Sequence, residues 1–218
     1  MINQTLRDKL SDAYMAAIPI VTLNFFWFIC SLPIVTIIPA TAALFYATNR
    51  LAHGKPADWH TFYEGLRLYF RRSWLWGLLN VVVIAVLVSN FVYYGHIDAQ
   101  WASVAGALII VFSVIWLSLQ IYTFPLLIEQ EHPHLRLALR NSVVLLIRRP
   151  FFTLGAVVLI LVLAIFSTVV IFPVWFFVTA SVCTYLANLA TLNSIAKVNG
   201  TKPTTEPEPS EFPLEGSE

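Results

Sequence analysis

The sequence predicts an all-α, polytopic membrane bundle, and three observations carry that prediction. Of 218 residues, 58% are hydrophobic and only 11% charged. Soluble domains carry about a quarter charged residues, so this chain cannot cover itself with a wetted surface. Charges are absent from Ala13 to Asn49, Ser73 to Ile97, Ala99 to Ile128 and Pro150 to Ala196, each stretch long enough to cross a bilayer as a helix of roughly 18–20 residues. None of them alternates apolar with polar residues, as the roughly ten-residue strands of a membrane barrel do.

Residues 1–16 place Leu6, Leu10, Ala13 and Ala17 at helical spacing with Arg7, Asp8, Lys9 and Asp12 elsewhere. This reads as a short amphipathic helix at the membrane surface. No cleavable signal is expected, because the first apolar run continues far beyond a signal-peptide core. The uncharged segment 13–49 would be about 55 Å long as one helix, too long for one crossing of a ~30 Å core and slightly short for two. Pro33 and Pro39 interrupt it, and each removes a backbone donor and disfavours helix in the residue before it. The expectation is a helix to about Ser31, an extended linker Leu32–Ile38, and a second helix with Pro39 in its first turn.

A wet loop and an amphipathic piece, WHTFYEGLRLYFRRS, precede a span at 74–94; a further span occupies 101–128, kinked or ended by Pro125. A second amphipathic piece, LRLALRNSVVLLIRR, leads to spans at 150–172 and 174–195, turning around Phe172–Pro173. The sequence thus reads as one integral membrane domain, 1–197, with four spans, a Pro-broken first segment and two amphipathic cytoplasmic helices. That makes five helices in all, with six crossings where the broken segment folds back. Residues 198–218, rich in Pro, Glu, Ser and Thr, form an acidic tail without apolar periodicity, which reads as disordered. Arg71-Arg72 with Gly77 and Arg148-Arg149 with Gly155, each between an amphipathic piece and a span, hint at an internal duplication.

The 13 Lys and Arg residues lie at the N-terminus, in 50–72, in 136–149 and in the C-terminal region. The positive-inside rule places 50–72, 136–149 and the tail in the cytoplasm. A single crossing of the broken segment would put Arg7 and Lys9 outside, a hairpin would put them inside, and charge and length favour the hairpin. Trp59, Trp74, Trp76, Trp101 and Trp175 fall near span boundaries, as interfacial tryptophans do.

No Asp, Glu, Lys or Arg lies within a span, whereas ion-coupled carriers usually bury such groups. The in-span amides and hydroxyls, Asn24, Thr36, Thr41, Asn80, Gln120 and Asn188 among them, read first as helix-packing groups and second as a polar pathway. Glu129, Glu131, His132 and His134 have the chemistry of metal ligands. Pro133 breaks any helical facing of the two histidines, and the group reads as an interfacial loop, so no metal is expected. Cys30 and Cys183 read as small buried hydrophobes. No Gly-rich phosphate loop, nucleophile elbow or HExxH pattern appears; no enzyme, cofactor or nucleic-acid partner is expected. Arg67, Arg71, Arg72, Arg140, Arg148 and Arg149 flank the amphipathic pieces, and read as contacts to anionic membrane lipids or to a protein partner.

Leu23-Asn24, Trp27, Leu32-Pro33-Ile34-Val35-Thr36 and Pro39-Ala40-Thr41-Ala42-Ala43-Leu44 resemble the hallmark run of the YesL-like family of bacterial membrane proteins. Phe70-Arg71-Arg72-Ser73 is similar to that family's segment before its second span. The resemblance extends over about residues 10–197, with Ile38 standing where relatives often carry Gly. It implies a bacterial cytoplasmic membrane protein of uncharacterised activity in a carbohydrate-utilisation context. The expected role is that of an accessory or regulatory partner of a carbohydrate ABC transporter or another membrane protein. The rival expectation is a small-solute transporter or channel whose path runs beside the broken segment.

Overall fold

The computed structural model describes residues 18–169 and 178–200. The surface helix expected over 1–16, the turn at Phe172–Pro173, Trp175 and all but the first residues of the acidic tail lie outside them. Among the described residues the chain is entirely helical, without a strand. The helices are α1 (Ile18–Ser31), α2 (Ile37–Ala52), α3 (Trp59–Gly95), α4 (Gln100–Ile128), α5 (Leu135–Arg148), α6 (Pro150–Val169) and α7 (Ala180–Asn199), with a 3-10 turn at Ile34–Thr36 before α2. Among the described residues four segments are long and apolar enough to cross a membrane: Ile34–Ala52, Trp59–Gly95, Gln100–Ile128 and Pro150–Ser167.

The two prolines act as the sequence suggests, but the break is tighter. α1 ends at Ser31, and Pro33 is extended at the start of the 3-10 turn. α2 then begins at Ile37, with Pro39 inside its first turn. The Thr36 hydroxyl donates to the carbonyls of Cys30 and Pro33, satisfying groups that the broken helix frees. α1 folds back on α2: Trp27 Nε1 donates to Thr41 Oγ1 at 3.1 Å, and Leu23 packs with Ala40, Ala43, Leu44 and Ala47. At 1.5 Å per residue, the described α1 is about 21 Å long and α2 about 24 Å. The tip of the hairpin is apolar and open, with Leu32, Ile34 and Val35 exposed.

Residues 59–73 form the first half of α3 rather than a helix of their own. Nothing between Phe70 and Trp74 can stop a helix, whereas Pro150 forces Arg149 out of helical geometry and separates α5 from α6. This is where the suggested duplication parts company with the fold. α2 runs antiparallel along the start of α3, because Gly65 lies against Tyr46 and Gly77 against Ile38. Beyond Gly77, α3 and the first half of α4 leave the body with large apolar side chains exposed, among them Leu78, Val82, Val86, Leu108 and Phe112. Such a surface suits hydrocarbon rather than water. α4 continues through Pro125 and ends only at Ile128. α7 buries a row of polar side chains, Ser181, Thr184, Asn188, Thr191 and Ser194, and it packs inside the bundle against α2, α4 and α6. It closes on Gly200 at φ 73°, a left-handed conformation that glycine adopts without strain.

The start of α3 is set by Asp58, whose carboxylate accepts the Thr61 N–H at 2.9 Å in a reciprocal capping arrangement. The Thr61 backbone N–H, then its hydroxyl and His60, hold the Asp58 carboxyl down to about 2 from an ordinary 3.8. A depressed folded-state value means that the cap contributes fully above about pH 4 and is lost as pH falls through about 2. The expected result is a loss of amide-exchange protection, taken relative to the unfolded-chain rate at each pH, at Thr61 and Phe62 over that acid window, with protection unchanged between pH 5 and 8. Asp58→Asn, which caps without titrating, should abolish the pH dependence; an unchanged acid profile in that variant would remove Asp58 from the role.

Candidate functional site

Among the described residues, many of the buried polar side chains meet in three interhelical groups. The first joins α2, α4 and α7. Asn188, fully buried, donates from Nδ2 to Phe45 O at 3.1 Å and Thr48 Oγ1 at 3.0 Å. Asn49 donates to Glu129 Oε1 at 2.7 Å, with Asn188 Oδ1 at 3.4 Å from the same nitrogen. His53 Nε2 lies 2.8 Å from the same Glu129 oxygen. The second group joins α3 and α4: Gln120 Nε2 and Trp116 Nε1 both donate to Asn80 Oδ1, at 2.8 and 3.2 Å. The third joins α4, α6 and α7, where the Tyr122 hydroxyl meets Thr153 Oγ1 at 2.8 Å and Ser194 Oγ at 3.5 Å.

Of the residues that the sequence singles out as a polar pathway, Asn80 and Gln120 meet each other. Asn24 stands apart on α1 and accepts the Ser181 N–H of α7 at 2.9 Å. Thr36 and Thr41 serve the α1–α2 hairpin, and Asn188 belongs to the first group. Thr41, Thr48, Ser118, Thr123, Ser142 and Thr153 each also donate to the carbonyl four residues back, the usual way for a hydroxyl to be satisfied within a helix. Apart from the Asn80–Gln120 pair, the six residues hydrogen-bond in different parts of the bundle. The sequence reading missed Thr48, Asn49, Tyr122 and Thr153. Their spacing is that of ordinary helix interiors, and only the packing of distant helices brings them together.

The cations divide into two sets. Arg67 lines a depression of about 510 Å³ on the outer face of α3 with His60, Tyr63, Glu64 and Leu68. Trp59, Tyr63, Arg67 and Arg71 are all exposed; their spacing of four residues aligns them along one side of the helix. Arg72 donates to Leu68 O at 3.5 Å within α3. The other set lies at the α5–α6 junction, where Arg148, Arg149 and Lys197 line one crevice. Arg149 donates to Asn193 O at 3.3 Å and stacks 4.2 Å from the Phe152 ring centroid, tying α6 to the end of α7. Arg140 is exposed on α5. Among the described residues the ion pairs are Arg50–Glu64 at 4.0 Å, His53–Glu129 and His60–Asp58, so the six arginines of interest carry none. No group of three or more metal-ligating side chains occurs among the described residues.

Residues 20–91 match a family described as "Protein of unknown function, DUF624". The matched stretch is the α1–α2 hairpin with nearly all of α3, the unit joined at Gly65 and Gly77. No curated protein and no solved structure matches the chain.

Proposed function

We propose that this is a non-enzymatic accessory protein of the bacterial cytoplasmic membrane, with its C-terminus on the cytoplasmic side, that serves carbohydrate uptake by docking a membrane subunit of a transport system. The carbohydrate context rests on the YesL-like resemblance. Docking rests on the exposed line Trp59, Tyr63, Arg67 and Arg71 at the polar end of α3. Aromatic and arginine side chains of this kind dominate protein–protein contact energies, and here they stand on one rigid helix with Arg67 and Arg71 unpaired among the described residues. The engagement of Asn24, Thr36, Thr41, Asn80 and Gln120 in helix contacts favours this reading over a solute path.

A photoactivatable phenylalanine analogue at position 63, introduced into the full chain in its native membrane, tests the reading. The expected product is a cross-link to a carbohydrate-transporter subunit. Arg67→Ala with Arg71→Ala should lower its yield by about tenfold, the effect of losing roughly 1.4 kcal/mol at a contact. Sugar flux by the purified protein alone in liposomes would sink the proposal, as would a cross-link indifferent to both arginines.

A further inference from the structure

We infer that the α6–α7 edge is a binding site for one anionic glycerophospholipid, with the phosphate held by Arg148, Arg149 and Lys197 and one acyl chain laid between the two helices. Two adjoining concavities carry this. The first is the crevice of about 530 Å³ at the α5–α6 junction, lined by the three cations together with Phe151 and Phe152. The second is an apolar groove of about 380 Å³ that begins at the same Phe152 and runs past Gly155, Ala156 and Leu159 on α6, facing Leu189 and Ala190 on α7. From Phe152 to Ile160 the groove covers about 12 Å along the helix, the reach of the proximal part of an acyl chain.

The chemistry fits at both ends. Arg148 and Lys197 are exposed, and among the described residues neither has an acidic partner. Arg149 is held in place by Asn193 and Phe152, so part of its guanidinium is positioned before any ligand arrives. Phe151 is 88% exposed at the first turn of α6, where an aromatic ring sits between headgroups and chains. The crevice lies at the end of Pro150–Ser167, an apolar helix of bilayer length. Gly155, Ala156 and Ala190 keep part of the groove shallow-walled, and a Cβ added at Gly155 would meet nothing within 4 Å, so the space beside it is open rather than filled by a neighbour. Lys197 was not singled out in the sequence, because 48 positions separate it from Arg149 and only the antiparallel return of α7 joins them. The site uses residues other than the docking line on α3, so each reading can fail without the other.

The test titrates the full chain, in a mild non-ionic detergent, with phosphatidylglycerol and with phosphatidylcholine, and counts retained lipid by native mass spectrometry. Phosphatidylglycerol should bind more tightly by about fivefold for each basic residue engaged, the gain expected near anionic headgroups. Arg148→Ala with Lys197→Ala should erase that preference. Gly155→Leu should weaken phosphatidylglycerol binding while the protein remains folded, and glycerol phosphate, which has no chain, should not compete. Equal retention of both lipids, or retention unaffected by both variants, would overturn the site. Full competition by glycerol phosphate would reassign the crevice to a soluble phosphate ester. A gain of tenfold or more in phosphatidylglycerol binding on Glu206→Gln, Glu208→Gln and Glu211→Gln would assign the crevice to the chain's own acidic C-terminal segment and overturn the lipid.

Discussion

Gly65→Leu is expected to loosen α2 from α3 and to lower the unfolding midpoint of the purified protein by several degrees, at about 2–4 °C per kcal/mol lost for a chain of this size. A Cβ at Gly65 would stand 2.8 Å from Tyr46 Cδ1 and 2.9 Å from Tyr46 Cβ. The second contact decides the outcome, because a Cβ is one bond from the backbone and cannot swing aside. Relief requires α2 itself to move, and with it the hairpin that Trp27 and Leu23 pack against. Overpacking by even a few atoms costs roughly 1–3 kcal/mol, while exchanging glycine for a better helix former returns only about 0.5–1 kcal/mol. Packing wins, and leucine adds three more carbons than alanine would. Gly77 is the same seam one level on, where an added Cβ would meet Ile38 Cδ1 and, at 2.9 Å, Ile38 Cγ2. Ile38 can change rotamer, so Gly77→Leu should be milder. Gly155→Leu, with open space around it, should leave the midpoint unchanged or raise it. A thermal scan of the three variants in one detergent checks the order, and a wild-type midpoint for Gly65→Leu would remove the seam from the account.

Asn188→Leu is expected to lower stability by about 2–3 kcal/mol, since it removes a fully buried donor pair and leaves neighbouring polar groups without partners. The Asn188 amide reaches Phe45 O and Thr48 Oγ1 on α2; its oxygen faces Asn49, which also holds Glu129 at the end of α4. Single interhelical hydrogen bonds in membranes are worth roughly 0.6 kcal/mol on average, up to about 1.7. The larger figure here comes from several bonds sharing one side chain that tolerates no change of shape. The contrast is Asn90→Leu, whose amide only returns to Val86 O on the exposed face of its own helix and which should shift stability by no more than about 0.5 kcal/mol. Equal effects of the two substitutions in chemical or thermal unfolding would show that the α2–α4–α7 group does not hold the bundle together.

Both predictions turn on residues whose roles the sequence does not display. Gly65 sits in an amphipathic run where glycine reads as an indifferent choice, and Asn188 reads as one amide among several. Pro33 and Pro39, by contrast, announce the break in the first segment. Their consequence is local: each acts on its own peptide bond and on the residue before it. Arg148 and Arg149 were visible as a basic pair flanking an apolar stretch, but their third cation, Lys197, was not. Asn24, Thr36, Thr41, Asn80 and Gln120 were visible as polar groups in apolar surroundings, and the sequence could not say which faced which.

Composition and spacing alone therefore determined that the chain is helical and built for a membrane, where the apolar lengths lie, and that the first of them is broken. These follow from single-residue transfer energies and from backbone sterics, which act without regard to distant neighbours. The tertiary structure decided the rest. It merged residues 59–73 with the span after them into one helix and folded α1 back on α2. It drew α7 inward on its polar side and distributed the six singled-out polar residues among three helix junctions and a hairpin. Apolar faces in lipid have no hydrophobic preference for one another, so the choice among packings falls to close backbone approach at glycines and to a few shared hydrogen bonds. Those depend on residues up to 157 positions apart in the chain, as Asn24 and Ser181 are.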